Sequence, residues 1–476
     1  MKIVVLCVTP LGILAVDRRV LNQCKILQEE GWNLHLIVPH TEEQDVVFDG
    51  IKISTVTETY TDADLEFIYN FVGCTSENVM SLLDTDPLPR TISYAKQYIT
   101  AKKINYGNTM GYRYLISQKF LSKIKHHKPD AVYCADFHGM IAAKVHFEET
   151  QTPYIIDSHE YCLSHSIASD HESKLIRRIE EKCLKTASDF ITVSHDFREL
   201  YKIEYGIDLS PLVYYNAPVI FPPNDQSIKT LKSKIGLKAN DKIVLFHGGL
   251  APFKRNLEAL IESAKYLPSD IHIIFLGYGP ISVNVSQSKY KNVHYLQPVD
   301  QEILQHHIKE SNLIIIPYVA LDINQLLCAP NRLFDALSTQ TPLLINQRIA
   351  SISRLVDQFN VGYSCEMQSP QQIAEGILHV IKSESVYRKA YQEKLSEIEL
   401  LYGYESQAKV IRGVSDRLKD KLYSFICKVT FDMNLETIVE DLARGDHDSA
   451  INRVHKFVLE HPRLAESNKM LSLLEG

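Results

Sequence analysis

The sequence lacks the features that mark membrane-spanning, disulfide-stapled and nucleic-acid-binding proteins. No stretch approaches the ~20 consecutive apolar residues that cross a bilayer. The nine cysteines are scattered, without a CxxC pair, which disfavours a disulfide framework or zinc site and favours a reducing compartment. The formal net charge of −7 gives no reason to expect nucleic acid as a partner. The first residues lack a signal-peptide cleavage pattern, and we expect a cytoplasmic protein.

What the sequence has is length and a regular alternation of elements. Its 476 residues exceed the roughly 250–300 at which one core stops growing, so we expect two large domains and a smaller appendage. Short apolar runs alternate with helical patterns, which predicts parallel strands covered by helices on both faces. The fold class is therefore α/β, with two doubly wound, Rossmann-like domains. The candidate strands are 2–8, 33–39, 131–135, 153–157 and 190–194, then 242–246, 272–276, 293–297, 313–317 and 343–345.

A proline-rich stretch without clear periodicity, residues 216–225, separates the two sets of strands and is the expected hinge. We predict a first domain over 1–216, completed by a helix around 400–415, and a second domain over 217–399. Ligands of doubly wound sheets bind at the carboxyl ends of the strands. The cleft between the two domains is therefore the expected site.

Two helical segments leave their function open. The tail, residues 416–476, is predicted to be a helical extension, and its spacing over 445–462 resembles one tetratricopeptide-type helical pair. It either packs on the main body or docks a protein partner. The basic amphipathic pattern over 114–128 predicts either a solvated helix face or a peripheral contact with an anionic membrane.

Five short motifs follow one another in a specific order and spacing. They are Asp17-Arg18-Arg19, residues 154–160, residues 187–194, residues 246–250 with Lys254-Arg255, and residues 330–335. Together they resemble retaining glycosyltransferases of family 4 (group 1), over roughly residues 1–412.

The resemblance implies the GT-B fold, in which two Rossmann-like domains face a cleft. It also implies transfer of a sugar from a nucleoside diphosphate sugar, UDP- or GDP-linked, to a hydroxyl acceptor. The implied reaction retains anomeric configuration and uses no metal ion or other cofactor. The implied setting is the assembly of a surface polysaccharide or glycoconjugate, with a glycan, lipid-linked or protein acceptor.

The first expected donor element follows the strand 242–246. Gly248 and Gly249 let a ligand approach the backbone. Lys254 and Arg255 follow at the next turn, where two cations can neutralise a diphosphate leaving group. In the resembled family this place binds the donor pyrophosphate, and many members have an arginine where Gly249 stands.

The second expected donor element is the run from Pro330 through Asn331 and Arg332 to Asp335. Pro330 and Asn331 suit a helix start, whose free N–H groups and dipole favour phosphate. Asp335, one turn further, is placed to accept hydrogen bonds from ribose hydroxyls. The resembled family often has a first acid seven residues or so earlier, and here that position falls near Leu327.

Two further loops complete the expected donor side. Gly277 and Tyr278 follow another strand, and the resemblance places them along the donor cleft. Val299 stands where the resembled enzymes read the base through the backbone. A plain turn is the alternative in both cases.

On the acceptor side, Gly12 and Arg18 are the candidates for an acceptor or phosphate loop, while Asp17 suits a helix start. The resembled enzymes commonly have a histidine where Ala135 stands. Asp136 and His138 follow that position and could substitute for it, or His138 could cap the next helix.

His159 and Glu160 directly follow an apolar strand and are candidate proton-transfer groups, as are Asp136 and His138. These four form the predicted catalytic set, and Asp157 is expected beside them. A metal site built from the same carboxylates and imidazoles is the less favoured reading.

The sequence supports a second class of function. Leu327 and Ala135 replace two groups expected near the sugar, so a catalytically degenerate GT-B protein that acts as a scaffold is the alternative to a transferase. Donor base, donor sugar, acceptor and oligomeric state are not readable from the sequence.

Overall fold

The computed structural model describes residues 1–7, 17–48, 50–91, 114–163, 170–206, 212–220, 228–252 and 255–444, with isolated positions beyond 444. Met1–Arg412 forms one compact unit and Gly413–Gly476 a second. None of the helices within these described ranges is both long and apolar enough to span a membrane.

The first sheet of the larger unit has eight strands in the order β3-β4-β2-β1-β5-β6-β7-β8, all parallel except β3. We call this sheet and its helices the first lobe. Its strands are β1 Lys2–Cys7, β2 Asn33–His40, β3 Asp45–Phe48, β4 Ile51–Thr57, β5 Ala131–Ala135, β6 Tyr154–Ser158, β7 Asp189–Thr192 and β8 Leu212–Val213. Its helices are α1 Arg18–Glu29, α2 Asp62–Val72, α3 Val79–Asp84, α4 Ser117–His127, α5 Met140–Thr150, α6 Asp170–Leu184 and α7 His195–Tyr205.

The second sheet has six parallel strands in the order β11-β10-β9-β12-β13-β14, and with its helices it forms the second lobe. Its strands are β9 Lys242–Gly249, β10 Ile271–Tyr278, β11 Val293–Leu296, β12 Leu313–Ile316, β13 Leu343–Asn346 and β14 Gly362–Cys365. Its helices are α8 Leu231–Ile235, α9 Leu257–Ser263, α10 Ile281–Ser286, α11 Gln301–Glu310, α12 Ile323–Leu327, α13 Asn331–Thr339, α14 Ala350–Phe359 and α15 Pro370–Lys382.

Two long helices end the described chain, α16 Glu384–Tyr402 and α17 Tyr404–Ala443. Within the larger unit, the first residues of α17 contact the first lobe, where Arg412 lies 3.5 Å from Glu29 and 3.7 Å from Glu30. The predicted helical tail is confirmed as far as Ala443. The tetratricopeptide-like spacing falls almost wholly outside the described residues.

Each sheet carries its own buried hydrophobic cluster, as expected for strands covered on both faces. Residues 2–7 and 313–316 illustrate why the apolar runs become strands, because nearly all of their side chains are fully buried. The doubly wound α/β prediction is confirmed. Strands β3, β4, β8 and β14 were not predicted, since they are short or interleave polar with apolar residues.

The carboxyl ends of β9 and β10 approach each other unusually closely. Gly248 pairs with Gly277, and a Cβ atom added to Gly277 would lie 1.9 Å from the carbonyl oxygen of Gly248. The added Cβ at Gly249 would lie 3.7 Å from its nearest neighbour, which is ordinary van der Waals contact. The absence of a Cβ atom at Gly277 therefore allows β9 and β10 to approach this closely.

We expect Gly277→Ala to destabilise the protein by about 1–3 kcal/mol, because the strands must separate to relieve the clash. Gly249→Ala, on the neighbouring strand, is the matched control and should change the free energy of unfolding little. Urea denaturation of both variants measures the difference. Equal stability of the two variants would contradict the close approach.

Candidate functional site

A cavity of about 670 Å³ lies between the two lobes, at the carboxyl ends of strands from both sheets. This is the edge at which doubly wound sheets bind their ligands. Residues that follow β5, β6 and β7 form one wall, and residues at the ends of β9 and β10 and after β11 form another. The expected cleft site is therefore a real cavity of ligand size.

The cavity brings together most of the predicted site residues. From the first lobe it takes Arg18, Asp136, His159 and Glu160. From the second lobe it takes Gly248, Gly249, Arg255, Gly277, Tyr278, Val299, Pro330, Asn331, Arg332 and Asp335. Gly12 and Lys254 lie outside the described residues. His138 is described but is not among the residues that line the cavity.

The first helix begins with a motif in which each residue anchors a different partner. Asp17 is the N-cap of α1, and its side chain accepts a hydrogen bond from the amide of Arg19 at 2.9 Å. The buried guanidinium of Arg19 makes two hydrogen bonds to Asp157, Nε to Oδ2 at 2.9 Å and Nη2 to Oδ1 at 2.5 Å. A third bond reaches the carbonyl oxygen of Tyr214. Arg19 thus ties α1 to the end of β6 through a bidentate, fully buried ion pair.

His159 lies between two carboxylates of this network. Its Nε2 is 3.2 Å from Asp157 and its Nδ1 is 3.4 Å from Asp17. Burial by itself would lower the pKa of His159, but Asp157 and Asp17 raise that pKa to about 10. Burial would likewise raise the pKa of Asp157, but Arg19 and His159 hold it below its usual range. His159 is therefore an imidazolium at neutral pH, a fixed cation that is not available as a base.

Asp136 is held in a strained conformation at the end of β5. Its φ of 72° and ψ of 177° belong to a region that is essentially restricted to glycine. Its amide donates to the carbonyl oxygen of Asp157 at 2.7 Å, and its carboxyl group accepts from the amide of His159 at 3.4 Å. Burial raises the pKa of Asp136 to about 7. His138 stacks on Phe137, and its Nδ1 lies 3.8 Å from Asp136.

Arg18 links the two lobes across the cavity. Its Nη1 donates to Oδ1 of Asp335 on α13 at 2.5 Å, while its Nη2 donates to the carbonyl oxygen of Asn216 at 3.1 Å. The side chains of Arg18 and Asp335 are 16 % and 1 % exposed, so the pair is shielded from water. The side-chain amide of Asn216 in turn donates to Oδ1 of Asn331 at 2.8 Å. The hinge residue and the first turn of α1 therefore both reach the start of α13.

Two guanidinium groups converge at the end of β9. Arg255 and Arg332 both donate to the hydroxyl of Tyr318, the former at 2.8 Å. Arg332 lies so close to the strand that a Cβ atom at Gly248 would be 3.0 Å from its Nη2. Neither guanidinium forms an ion pair with a carboxylate of the described residues. Burial, with Arg255 nearby, lowers the pKa of Arg332 to about 10, so Arg332 remains charged at neutral pH.

The position that corresponds to the first family acid is turned towards the first lobe. Leu327 packs against the hydrophobic cluster of the first sheet, in which Ile323 of the same helix is buried. The side chain of Asn324 makes two hydrogen bonds to the backbone of Tyr161, at 2.6 and 3.2 Å. Helix α12 therefore docks on the first lobe, and Leu327 is not among the residues that line the cavity.

Sequence reasoning missed several cavity residues. His247, Tyr318 and Gln301 line the cavity and were not singled out, although His247 interrupts the apolar run of β9. No sequence pattern pointed to Asn324, because its contact with Tyr161 depends on how the two lobes meet. A histidine at the carboxyl end of an otherwise apolar strand was the one available clue.

Within the described ranges, the group of side chains placed to hold a metal ion is His306, His307 and Glu310. Two of these three side chains already have partners within the protein. Glu310 accepts from the amide of Leu231 at 2.6 Å, and a ring nitrogen of His307 lies 2.9 Å from the ammonium group of Lys234. The less favoured metal site was placed on carboxylates that Arg19 and His159 engage here.

No protein-family profile matches the chain. A curated protein of Bacillus subtilis strain 168, named as a candidate teichuronic acid biosynthesis glycosyltransferase (TuaC), is 22 % identical over 260 residues. The match spans 54 % of this chain and 62 % of that protein, which is less than two thirds of the relative's length.

Solved structures match over most of the chain. HepE of Anabaena, in complex with UDP-glucose, has a TM-score of 0.58 at 13 % identity and covers 87 % of this chain and 99 % of its own. Sucrose-phosphate synthase of Thermosynechococcus elongatus has a TM-score of 0.58 at 12 % identity, with 88 % and 99 % covered. WaaG, a glycosyltransferase involved in lipopolysaccharide biosynthesis, has a TM-score of 0.53 at 11 % identity, with 86 % and 100 % covered.

These likenesses define the architecture. The chain has the fold of the GT-B glycosyltransferases, as the resemblance of its motifs led us to expect. The helical C-terminal addition accompanies that fold here.

The ion pairs around His159 make stability depend on pH. Its pKa rises from an ordinary value of 6.5 to about 10 on folding, so its stabilising contribution is fully present below 6.5 and is lost as the pH rises to about 10. We expect the wild type to lose more unfolding free energy between pH 6 and 9.5 than His159→Gln does. Urea denaturation at both values measures this. The exposed His126→Gln is the control, and parallel losses in all three proteins would refute the assignment.

Proposed function

We propose that this chain is a glycosyltransferase that moves a sugar from a nucleoside diphosphate sugar to a hydroxyl acceptor with retention of anomeric configuration. The observation that carries the proposal is the pair of guanidinium groups, Arg255 and Arg332, at the cavity end of β9. A buried and a half-buried guanidinium without a carboxylate ion-pair partner suit an anion with several acceptor oxygens, and a diphosphate is such an anion.

The second lobe supplies the rest of a diphosphate site. Helix α13 begins at Asn331 beside these cations, and its N-cap Pro330 makes no side-chain capping bond. The free N–H groups of the first turn can therefore bind phosphate oxygens. Arg332 belongs to this helix, and its guanidinium lies over Gly248. It therefore supplies a positive charge close to Gly249, the position at which many members of the resembled family have an arginine. Lys254 would add to the same charge.

The nucleoside is placed by the remaining donor residues. Asp335 accepts from the ribose, and Tyr278 with Val299 borders the base, in keeping with their places along the cavity. The co-substrate is UDP- or GDP-linked. The complexes of HepE with UDP-glucose and with UDP support this choice through the shared fold alone, because HepE is 13 % identical to this chain.

The chemistry requires that the bond from the anomeric carbon to the diphosphate oxygen break, with its electron pair leaving on the diphosphate. Arg255, Arg332 and the start of α13 stabilise that charge without a metal ion. The acceptor oxygen bonds to the anomeric carbon on the face from which the diphosphate leaves, as retention requires, and its proton passes to Asp136. Burial raises the pKa of Asp136 to about 7, which suits this task.

The other first-lobe residues orient this step. His159 supplies fixed positive charge and holds the loop that bears Glu160, which borders the sugar. His138 lies outside the cavity and packs beside Asp136. Arg18 holds the acceptor side against the donor lobe.

The acceptor belongs to the assembly of a surface polysaccharide or glycoconjugate, a role suggested by the names of TuaC and WaaG. A peripheral membrane contact through α4 fits a lipid-linked acceptor, and the C-terminal helices offer a surface to a protein partner. The scaffold alternative rests on Leu327 and Ala135, neither of which lines the cavity. Donor binding without hydrolysis or transfer of the sugar would favour it.

We expect Arg255→Gln and Arg332→Gln each to weaken nucleoside diphosphate binding by about 10–100-fold, because each removes a charge-assisted bond to phosphate. Calorimetry with UDP, GDP, ADP and CDP, without divalent metal, measures this and identifies the base. Arg354→Gln is the control: it removes an exposed ion pair between the lobes, Arg354 to Asp196 at 2.5 Å. If the folded wild type binds none of these nucleotides, the proposed function fails.

Asp136 gives the reaction a pH dependence of known sign. As a base it acts when deprotonated, so kcat/KM should rise as the pH passes through about 7. Asp136→Asn should reduce the transfer rate by about 10²–10⁴-fold and abolish that rise, while donor affinity changes little. Rates measured from pH 5.5 to 8.5 test this. A wild-type profile that is flat across this range would contradict Asp136 as the base.

A further inference from the structure

A buried imidazole beside Asp335 has no hydrogen-bond partner at its outer nitrogen. His247, the residue before Gly248 in β9, is 5 % exposed and lines the cavity. Its Nε2 makes no hydrogen bond to any described residue. Burying a polar atom without a partner costs free energy, so an orphaned group at a cavity wall points to a ligand that completes it.

An acceptor oxygen close to this nitrogen is Oδ2 of Asp335. Oδ1 of Asp335 is taken by Arg18, while Oδ2 lies 3.7 Å from Nε2 of His247. That separation is too long for a direct hydrogen bond. A third atom that lies about 2.7–2.9 Å from each of the two groups could bridge them.

The charges of the two groups define the bridging atom. Burial, and then Arg332 and Arg18, keep the pKa of His247 well below its ordinary value, so the ring is neutral and can carry its proton on Nε2. Asp335 paired with Arg18 offers an acceptor. The bridging group must therefore accept from His247 and donate to Asp335 at once. A hydroxyl does both, whereas a carbonyl or phosphate oxygen only accepts and an ammonium only donates.

The neighbouring wall supports a polar ligand at the same place. The side-chain amide of Gln301 also lines the cavity and lies close enough to Asp335 to interact with its carboxyl group. The Nε atoms of Arg18 and Arg332 have no hydrogen-bond partner among the described residues.

We infer that His247 is a specificity-determining residue of the donor site, which with Asp335 brackets one ribose hydroxyl and selects ribonucleotides over deoxyribonucleotides. The inference rests on the proposed function, because it requires a nucleotide in this cavity. A site built to bond a hydroxyl rejects an analogue without it, since its buried polar groups are left unpaired.

Calorimetry with UDP and GDP and with the 2′-deoxy and 3′-deoxy form of each tests the inference in the full-length chain. For the wild type, we expect one of the two deoxy forms to bind at least about tenfold more weakly than the ribonucleotide. His247→Phe should weaken ribonucleotide binding by about tenfold and leave that deoxy form almost unchanged, so the preference collapses. His247→Gln, which keeps an amide donor, should retain part of it.

His272→Phe is the matched control, because it makes the same change at another buried histidine, on β10 and outside the cavity lining. It should keep the full preference. Equal wild-type affinity for the ribonucleotide and both deoxy forms would overturn the inference. An undiminished preference in folded His247→Phe would overturn it too, and in either case the proposed function would survive. Wild-type protein that binds no nucleotide would overturn both.

Discussion

Two consecutive arginines at the start of α1 hold the site together, because each pairs with a carboxylate on a different lobe. Arg19 points back into the first lobe and makes its buried bidentate pair with Asp157. Arg18 points across the cavity to Asp335. Breaking a buried ion pair strands a charge and typically costs about 3–5 kcal/mol, so both contacts constrain the cleft strongly. The relative placement of the first-lobe and second-lobe residues that line the cavity depends on this one helical turn.

The charges divide the cavity into two parts. On the donor side, Arg255 and Arg332 leave positive charge uncompensated, which suits a diphosphate whose charge grows as it departs. On the other side, Asp157 and Asp17 neutralise His159, and Asp136 is left as a carboxyl group that titrates near neutral pH. Under the proposed function, one part of the cavity holds an anion and the other takes a proton.

Much of this could be predicted from the sequence, because the relevant signals are local. Apolar runs located most of the strands, and the glycines at the end of β9 with Arg255 after it marked one edge of the cavity. The sequence could not show that Arg18 reaches Asp335, since 317 residues separate them. Nor could it show that two carboxylates flank His159 and keep it protonated, or that Leu327 packs on the first lobe. The lack of a hydrogen-bond partner at Nε2 of His247 could not be foreseen either. The contacts of Arg18 and Leu327 depend on how the two lobes meet. Those of His159 and His247 depend on how distant segments of a single lobe pack together.

The most direct test of the account is a crystal structure of the protein with UDP or GDP bound. The account predicts the diphosphate between the guanidiniums of Arg255 and Arg332, at the first turn of α13, with the ribose against Asp335. A nucleotide bound elsewhere, with both guanidiniums still facing only Tyr318, would contradict the assignment of this cavity as the donor site.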